Sequence, residues 1–131
     1  MTEIHWMAAT GLMTALFWVV YVLNRFVTIG IPASLGNPSA EHKPLSAWAQ
    51  RATAAHKNAI ENYAIFAALV LGVVVLDLSS SLTITLSMLY FFARAVHFVV
   101  YTLGIPVART LAFAVGWGVQ VVLALVILGG V

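Results

Sequence analysis

Four long apolar segments are the feature that most constrains how this chain folds. They cover residues 6–23, 63–76, 82–93 and 110–131. A helix needs about 20 mostly apolar residues to cross the ~30 Å hydrocarbon core of a bilayer. A chain of 131 residues therefore has room for four membrane-spanning helices and short connections.

The composition excludes the alternatives to a membrane protein. Hydrophobic residues make up 63% of the chain and charged residues only 8%, with a net charge of +2. A soluble domain carries roughly 25% charged residues, so an ordinary soluble enzyme, a disordered tail and a nucleic-acid binder are all excluded. The chain has no cysteine, and His56 and His97 have no cluster of carboxylates near them in sequence. We therefore predict no disulfide and no metal site.

The second and third apolar segments are too short to span a bilayer unaided. Residues 63–76 cover about 21 Å as a helix, so this span must extend back through polar residues before position 63. We predict helices over about 4–29, 47–76, 82–104 and 108–130, with a Pro- and Gly-containing loop at about 30–46. The predicted fold is a single all-α integral membrane domain over 1–131, a four-transmembrane-helix bundle.

Lysine and arginine lie at one end of the predicted spans. The loop after the first span and its flanks carry Arg25, Lys43, Arg51 and Lys57, and the turn after the third span is followed by Arg109. Because basic residues mark the cytoplasmic side, we expect the loop to face the cytoplasm and both termini to face outwards.

Polar side chains form a stripe on each of two predicted helices. Those of the third helix follow helical spacing: Tyr90, Arg94, His97 and Tyr101. Those of the second helix are Arg51, Asn58 and Glu61. Ionisable groups inside a membrane usually face the bundle interior or a polar cavity. The two stripes therefore predict a polar cleft, cationic at its mouth, that opens towards the loop.

Glu61 and Arg94 should lie at similar depth. Glu61 is roughly 22 Å from the end of the second span, and Arg94 is roughly 18 Å from the start of the third, on the same side of the membrane. The two helices run antiparallel, which predicts an ion pair between these two side chains. Such a pair is also a common structural device that has no catalytic role.

Two sequence stretches resemble signatures of the MAPEG family, the membrane-associated proteins in eicosanoid and glutathione metabolism. One is RATAAHKNAIEN at residues 51–62, which opens the second helix. The other is RAVHFVVY at residues 94–101, followed by Arg109. The resemblance extends over nearly the whole chain, and a bacterial-type member fits it best, which implies a bacterial inner membrane.

The resemblance implies a homotrimer that binds glutathione as co-substrate between neighbouring subunits, near the cytoplasmic side. Asn58 and Glu61 would contact glutathione, with Glu61 accepting from its amino group. Arg109 would stabilise the thiolate, and Tyr101 would lie near the thiol. Further expected binding residues are Arg25, Arg51, Arg94 and His97. Ala54 stands where members that use glutathione usually carry a second arginine, a role that Arg51 or Lys57 would take.

The leading hypothesis is a membrane-bound glutathione transferase or peroxidase. A lipophilic small molecule or lipid would reach it from the bilayer. One alternative is a protein of the same fold that binds another anionic or lipid ligand without glutathione catalysis. The other is a small transporter that uses Glu61 as its membrane carboxylate. A Glu61 paired with Arg94 would argue against transport, because a paired carboxylate resists protonation.

Overall fold

The computed structural model describes all 131 residues and contains six helices. They are α1 (Glu3–Leu16), α2 (Trp18–Ile29), α3 (Ile31–Leu35), α4 (Ala47–Val75), α5 (Ser81–Leu103) and α6 (Pro106–Ile127). Four of the helical stretches are long and apolar enough to cross a membrane: α1 with α2 (27 residues), α4 (29), α5 (23) and α6 (22). The prediction of four spans is confirmed, and the chain is an integral multi-pass membrane protein.

The first span is interrupted at Phe17. The Phe17 N–H donates to Thr14 C=O, three residues back, instead of four. The Thr14 and Thr10 hydroxyls each donate to the carbonyl four residues earlier, a pattern that bends helices. Phe17 is buried at the break and stacks on Phe98 of α5, with 3.8 Å between ring centroids. The break thus fixes the first span against the middle of the bundle.

The connection after the first span is partly helical, which the sequence did not predict. Gly30, with φ of 84°, separates α2 from α3. Proline argued for an irregular loop, but Pro32 lies in the first turn of α3, where a helix tolerates proline. The residues that follow α3 form no further helix until α4 begins at Ala47. The end of the bundle at residues 30–46 is called the loop side below, and the end at residues 76–80 the far side.

Helices α4 and α5 form the middle of the bundle. Helix α4 packs on α1, α2, α5 and α6, and α5 packs on α1, α4 and α6. On the loop side the core is built from alanines of α4 and two stacked rings, namely Ala52, Ala55, Ala59, Phe17 and Phe98. Small residues let membrane helices approach closely. The buried alanines therefore explain how α4 packs tightly on its neighbours.

The far half of the bundle contains an apolar core, called the far core here. It consists of Phe66, Val70, Val73, Tyr90, Val119 and Leu123. Phe66 and Tyr90 stack with 3.9 Å between ring centroids, and both are fully buried. These side chains fill the space between α4, α5 and α6.

Glu3, near the N-terminus, is hydrogen-bonded to the first turn of α5 on the far side of the bundle. Glu3 is 2% exposed and accepts a hydrogen bond from the Thr83 hydroxyl. Thr83 also forms a capping box with Ser80 at the first turn of α5. A helix N-terminus favours a negative charge, so Glu3 complements the start of α5 electrostatically.

Gly104 ends α5 in a left-handed conformation, with φ of 78°. A Cβ atom there would lie 3.2 Å from Cζ of Arg51. We expect Gly104→Ala to lower the free energy of unfolding by about 1–2 kcal/mol, because the left-handed region is unfavourable for residues with a Cβ. Unfolding in detergent, followed by circular dichroism, measures the change.

Gly118→Ala is the matched control for Gly104→Ala. Gly118 lies inside α6, and a Cβ there would meet no atom within 4 Å. Alanine in a helix interior is favoured over glycine by roughly 0.5–1 kcal/mol, so this variant should be as stable as the parent or more stable. Equal destabilisation by both substitutions would show that the conformation of Gly104 is not the cause.

Candidate functional site

A polar cleft lies between α4, α5 and α6 in the loop-side half of the bundle. Its volume is about 210 Å³. The side chains that line it are Asn58, His97, Tyr101, Arg109, Thr110 and Phe113. The structure therefore brings together four of the residues singled out from the sequence, from three different helices. This space is called the polar cleft below.

Arg109 lies over the ring of Tyr101 at the mouth of the cleft. Its Cζ atom is 4.5 Å from the ring centroid, which is a cation–π contact. The His97 ring packs edge-on against Tyr101, with 5.6 Å between centroids. The guanidinium N–H groups of Arg109 donate to no atom of the chain, so the ring contact positions the guanidinium and leaves its donors open to a ligand.

Arg94 is buried behind the cleft and holds Asn58. It is 2% exposed, and its Nη2 donates to Asn58 Oδ1 at 2.5 Å. The Arg94 side chain packs against Gly116 of α6, where a Cβ atom would lie 3.4 Å from Arg94 Cδ. The Arg94 Nε atom has no hydrogen-bond partner, and neither does Nδ1 of His97. Two buried polar atoms at this cleft are thus unsatisfied within the chain.

The hydrogen bonds continue from Asn58 towards the centre of the membrane. Asn62 Nδ2 donates to the Asn58 carbonyl at 2.9 Å. Gln120 Nε2 donates to the Asn62 carbonyl at 3.0 Å and approaches the Tyr90 hydroxyl at 3.4 Å. This network connects α4, α5 and α6 and ends at the far core. Gln120 and Asn62 had no assigned role from sequence, although Gln120 is the one strongly polar side chain of the fourth apolar segment.

The predicted ion pair between Glu61 and Arg94 is wrong. Glu61 is exposed on the outer face of α4 and has no hydrogen-bond or ionic partner in the chain. Asn58 takes the place at Arg94 that was predicted for Glu61. At 100° per residue, Glu61 is turned by about 60° from Asn58 around the helix. Equal depth in the membrane therefore did not mean that the Glu61 and Arg94 side chains point towards each other.

Arg51 caps the end of α5 and does not line the cleft. Its Nε donates to the Thr102 carbonyl at 3.0 Å, and its guanidinium lies against Gly104. A cation at a helix C-terminus satisfies the last carbonyls and complements the helix dipole. The local structure thus explains Arg51 without a ligand.

Arg25 lies in a second cavity, which is called the Arg25 cavity below. This cavity has a volume of about 400 Å³ and is built mainly by α2, α3 and the chain before α4. Its lining residues are Trp18, Tyr21, Val22, Arg25, Phe26, Ser34, Leu35, Leu45 and Thr53. Within one subunit, therefore, Arg25 does not join the polar cleft.

The fold and the cleft together define a class: a small membrane protein of four spans with a cation-bearing polar cleft in one half of its bundle. The chain belongs to the MAPEG family, whose family model matches residues 4–129. No curated protein and no solved structure gives a significant match. The MAPEG family includes glutathione transferases and related proteins. The resemblance read from residues 51–62 and 94–101 is confirmed.

Proposed function

We propose that this protein is a membrane-bound glutathione transferase or peroxidase that acts on lipophilic substrates. The observation that carries the proposal is the position of Arg109. Its guanidinium is held on the Tyr101 ring at the mouth of the polar cleft, with its donors unused. Membership of a family that includes glutathione transferases supports the same function.

The chemistry of the thiol explains why an arginine suits this place. A free thiol titrates near pH 8.5, and its thiolate is the nucleophile. A guanidinium at the sulfur favours the anion, and each unit by which the thiol pKa falls needs about 1.4 kcal/mol of differential stabilisation. Arginine stays charged, so Arg109 would act as an electrostatic stabiliser and not as a base. The thiolate would then attack an electrophilic carbon, or reduce a hydroperoxide.

We propose that the working form is a homotrimer in which a neighbouring subunit completes each site. The polar cleft of one chain, about 210 Å³, is smaller than the 300–1,000 Å³ typical of small-molecule sites. In addition, Glu61 and Lys57 are exposed on the outer face of α4, within a membrane span. Charged groups in a span are costly unless they are paired or covered, which supports a subunit contact at this face.

The remaining charges suit glutathione, which has two carboxylates and one ammonium group. We propose that Glu61 accepts from the ammonium group and that Asn58 and His97 donate to or accept from the peptide. Arg94 would serve by holding Asn58. Ala54 leaves one expected cation missing, and Lys57 is the cation on the same face of α4 that could replace it.

The orientation is also part of the proposal. Arg25, Lys43, Arg51, Lys57 and Arg109 all belong to the loop-side half, and the turn at residues 76–80 has no lysine or arginine. This asymmetry supports a cytoplasmic loop and outward termini. Glutathione would then enter from the cytoplasm, and the lipophilic substrate would arrive from the bilayer of a bacterial inner membrane.

A titration of the purified protein with glutathione, followed by calorimetry, tests the proposal. We expect saturable binding, and we expect Glu61→Gln to weaken it by about 10- to 100-fold, because hydrogen bonds to charged groups contribute about 1.5–3 kcal/mol. Glu41→Gln is the matched control, since Glu41 is an exposed carboxylate in the loop. Its affinity should equal that of the parent protein.

The titrations of Glu61→Gln and of the parent protein distinguish a wrong site residue from a wrong function. An unchanged affinity in Glu61→Gln would remove Glu61 from the site and leave the function standing. Absence of any binding at millimolar glutathione would contradict the function itself.

A second candidate function is the binding of another anion in the polar cleft without thiol chemistry. It is favoured by Ala54, which is exposed at the position where members that use glutathione usually carry a second arginine. That candidate predicts anion binding that does not depend on a thiol. The absence of a pair with Arg94 removes one argument against transport through Glu61. Transport still has less support, because Glu61 lines neither the polar cleft nor the Arg25 cavity of one subunit.

A further inference from the structure

The Arg25 cavity is the larger of the two cavities described above, and the proposed glutathione chemistry does not use it. Six of its nine lining residues are hydrophobic, and its volume of about 400 Å³ lies within the range of ligand pockets. Arg25 supplies its one charge. A mostly apolar cavity with a single cation is suited to a molecule that has an apolar part and an anionic part.

The polar groups around Arg25 already have partners. The Tyr21 hydroxyl shares a hydrogen bond of 2.8 Å with His56 Nδ1. The Ser34 hydroxyl donates to the Gly30 carbonyl at 2.6 Å, and the Thr53 hydroxyl donates to the carbonyl one helical turn earlier. The guanidinium of Arg25, in contrast, makes no hydrogen bond or ion pair in the chain. The unmet requirement of this cavity is therefore an anion.

The depth of the cavity matches that of an amphiphile in a membrane. Arg25 lies four residues from the loop-side end of α2, or roughly 6 Å along the helix. Trp18 lies seven residues further in, roughly 10 Å deeper. A charged head at Arg25 would sit at the membrane interface, and an apolar chain would extend inwards past Val22 and Trp18.

The wall of the cavity is held in place by hydrogen bonds. Asn24, which is 9% exposed, donates from Nδ2 to Ser46 Oγ and accepts at Oδ1 from the Ser46 N–H, both at 3.0 Å. These two bonds fix the chain before α4, including the lining residue Leu45, against α2. The cavity thus exists before a ligand arrives, which lowers the cost of binding.

We propose that the Arg25 cavity is a specific binding site for one anionic amphiphile. Its carboxylate or phosphate head would be held by Arg25, and its chain would lie against Trp18 and Val22. Arginine presents a planar fork of donors that matches either kind of head. This site is distinct from the polar cleft of the same subunit. An arginine that merely extends to the interface would contact bulk headgroups and give no saturable binding.

Quenching of Trp18 fluorescence tests this proposal directly. The protein is reconstituted in phosphatidylcholine vesicles and titrated with a dibrominated long-chain fatty acid, with its methyl ester, and with brominated phosphatidylglycerol. We expect saturable quenching by at least one of the two anionic amphiphiles, and only unsaturable quenching by the ester. Which of the two anions saturates identifies the carboxylate or the phosphate as the preferred head. The chain has four tryptophans, and in Trp18→Phe the amplitude of the saturable component should fall.

Arg25→Gln should raise the concentration for half-saturation by about 10- to 100-fold, as expected for a lost charge-assisted hydrogen bond. Lys43→Gln, which removes an exposed loop cation outside the cavity, is the matched control and should change nothing. If Arg25→Gln does not fold, Arg25→Lys tests whether the site selects anions. It keeps the positive charge, so its fluorescence should still be quenched saturably by the acid and not by the ester.

Several results would overturn the proposal. Equal quenching by acid and ester, or by the parent and Arg25→Gln, would show that there is no anion-selective site. Saturable quenching of undiminished amplitude in Trp18→Phe would place the amphiphile elsewhere. Displacement of the amphiphile by an equal concentration of inorganic phosphate would show a site for soluble anions. A loss of glutathione binding in Arg25→Gln with quenching intact would assign Arg25 to the glutathione site instead.

Discussion

Arg109→Ala is expected to lower kcat/KM for glutathione conjugation by roughly 10²- to 10³-fold, the loss seen when one preorganised donor to a developing anion is removed. The reason is geometric. The guanidinium rests on the Tyr101 ring at 4.5 Å and has no donor committed elsewhere. Ultraviolet absorbance of the bound thiolate, followed against pH, measures the lost stabilisation of the thiolate, and steady-state kinetics with an electrophile measure the fall in kcat/KM.

The controls for Arg109 separate charge from shape. Arg109→Lys keeps the positive charge without the planar fork and should retain part of the thiolate signal. Tyr101→Phe keeps the ring beneath Arg109 and should retain most of it. Glutathione affinity in Arg109→Ala should fall much less than the rate, because Asn58 and Glu61 remain. A thiolate signal that does not change in Arg109→Ala would rule out the proposed role.

The second large effect is expected at Arg94, which we infer to be a positioning residue. Arg94→Met should weaken glutathione binding by about 10- to 100-fold, because Asn58 loses the charge-assisted hydrogen bond that orients it. Stability should fall by no more than about 1–3 kcal/mol, the cost of leaving Asn58 Oδ1 without this donor. The cost stays small because Arg94 has no carboxylate partner that the substitution would leave unpaired. Calorimetry and thermal unfolding of the same sample give the two quantities.

A double-mutant cycle with Asn58→Ala shows whether Arg94 acts through Asn58. If it does, the double variant should bind glutathione about as weakly as the weaker single variant, because both substitutions remove the same interaction. Additive losses would mean that Arg94 contacts glutathione itself. Unfolding of Arg94→Met in detergent would instead assign a purely structural role to Arg94.

Sequence reasoning found the spans because length and composition determine them. Glu3–Ile29, Ala47–Val75, Ser81–Leu103 and Pro106–Ile127 are the helices that an apolar chain needs to cross a bilayer. It also found the depth of the polar groups, since a helix rises by about 1.5 Å per residue. Depth together with helical spacing predicted that Asn58, His97 and Tyr101 would share a cleft, and the family resemblance added Arg109.

Direction around a helix was less predictable. Asn58 and Glu61 are three residues apart, and only the packing of α4 on α5 and α6 decides which of them faces Arg94. Arg51 caps α5 through Thr102, a hydrogen bond between residues 51 positions apart that no local pattern indicates. The guanidinium also lies beside the left-handed Gly104. The break at Phe17 and the helix α3 likewise depend on tertiary contacts and on local turn geometry.

The far core has a consequence for how the protein uses its membrane. Phe66 and Tyr90 stack between α4, α5 and α6, where the hydrogen-bond network from the polar cleft ends. Within one subunit, the far core therefore lies between the polar cleft and the far side of the bundle. If soluble ligands bind in the polar cleft, this apolar packing would let them reach the interior of the bundle without opening a polar path for ions across the membrane.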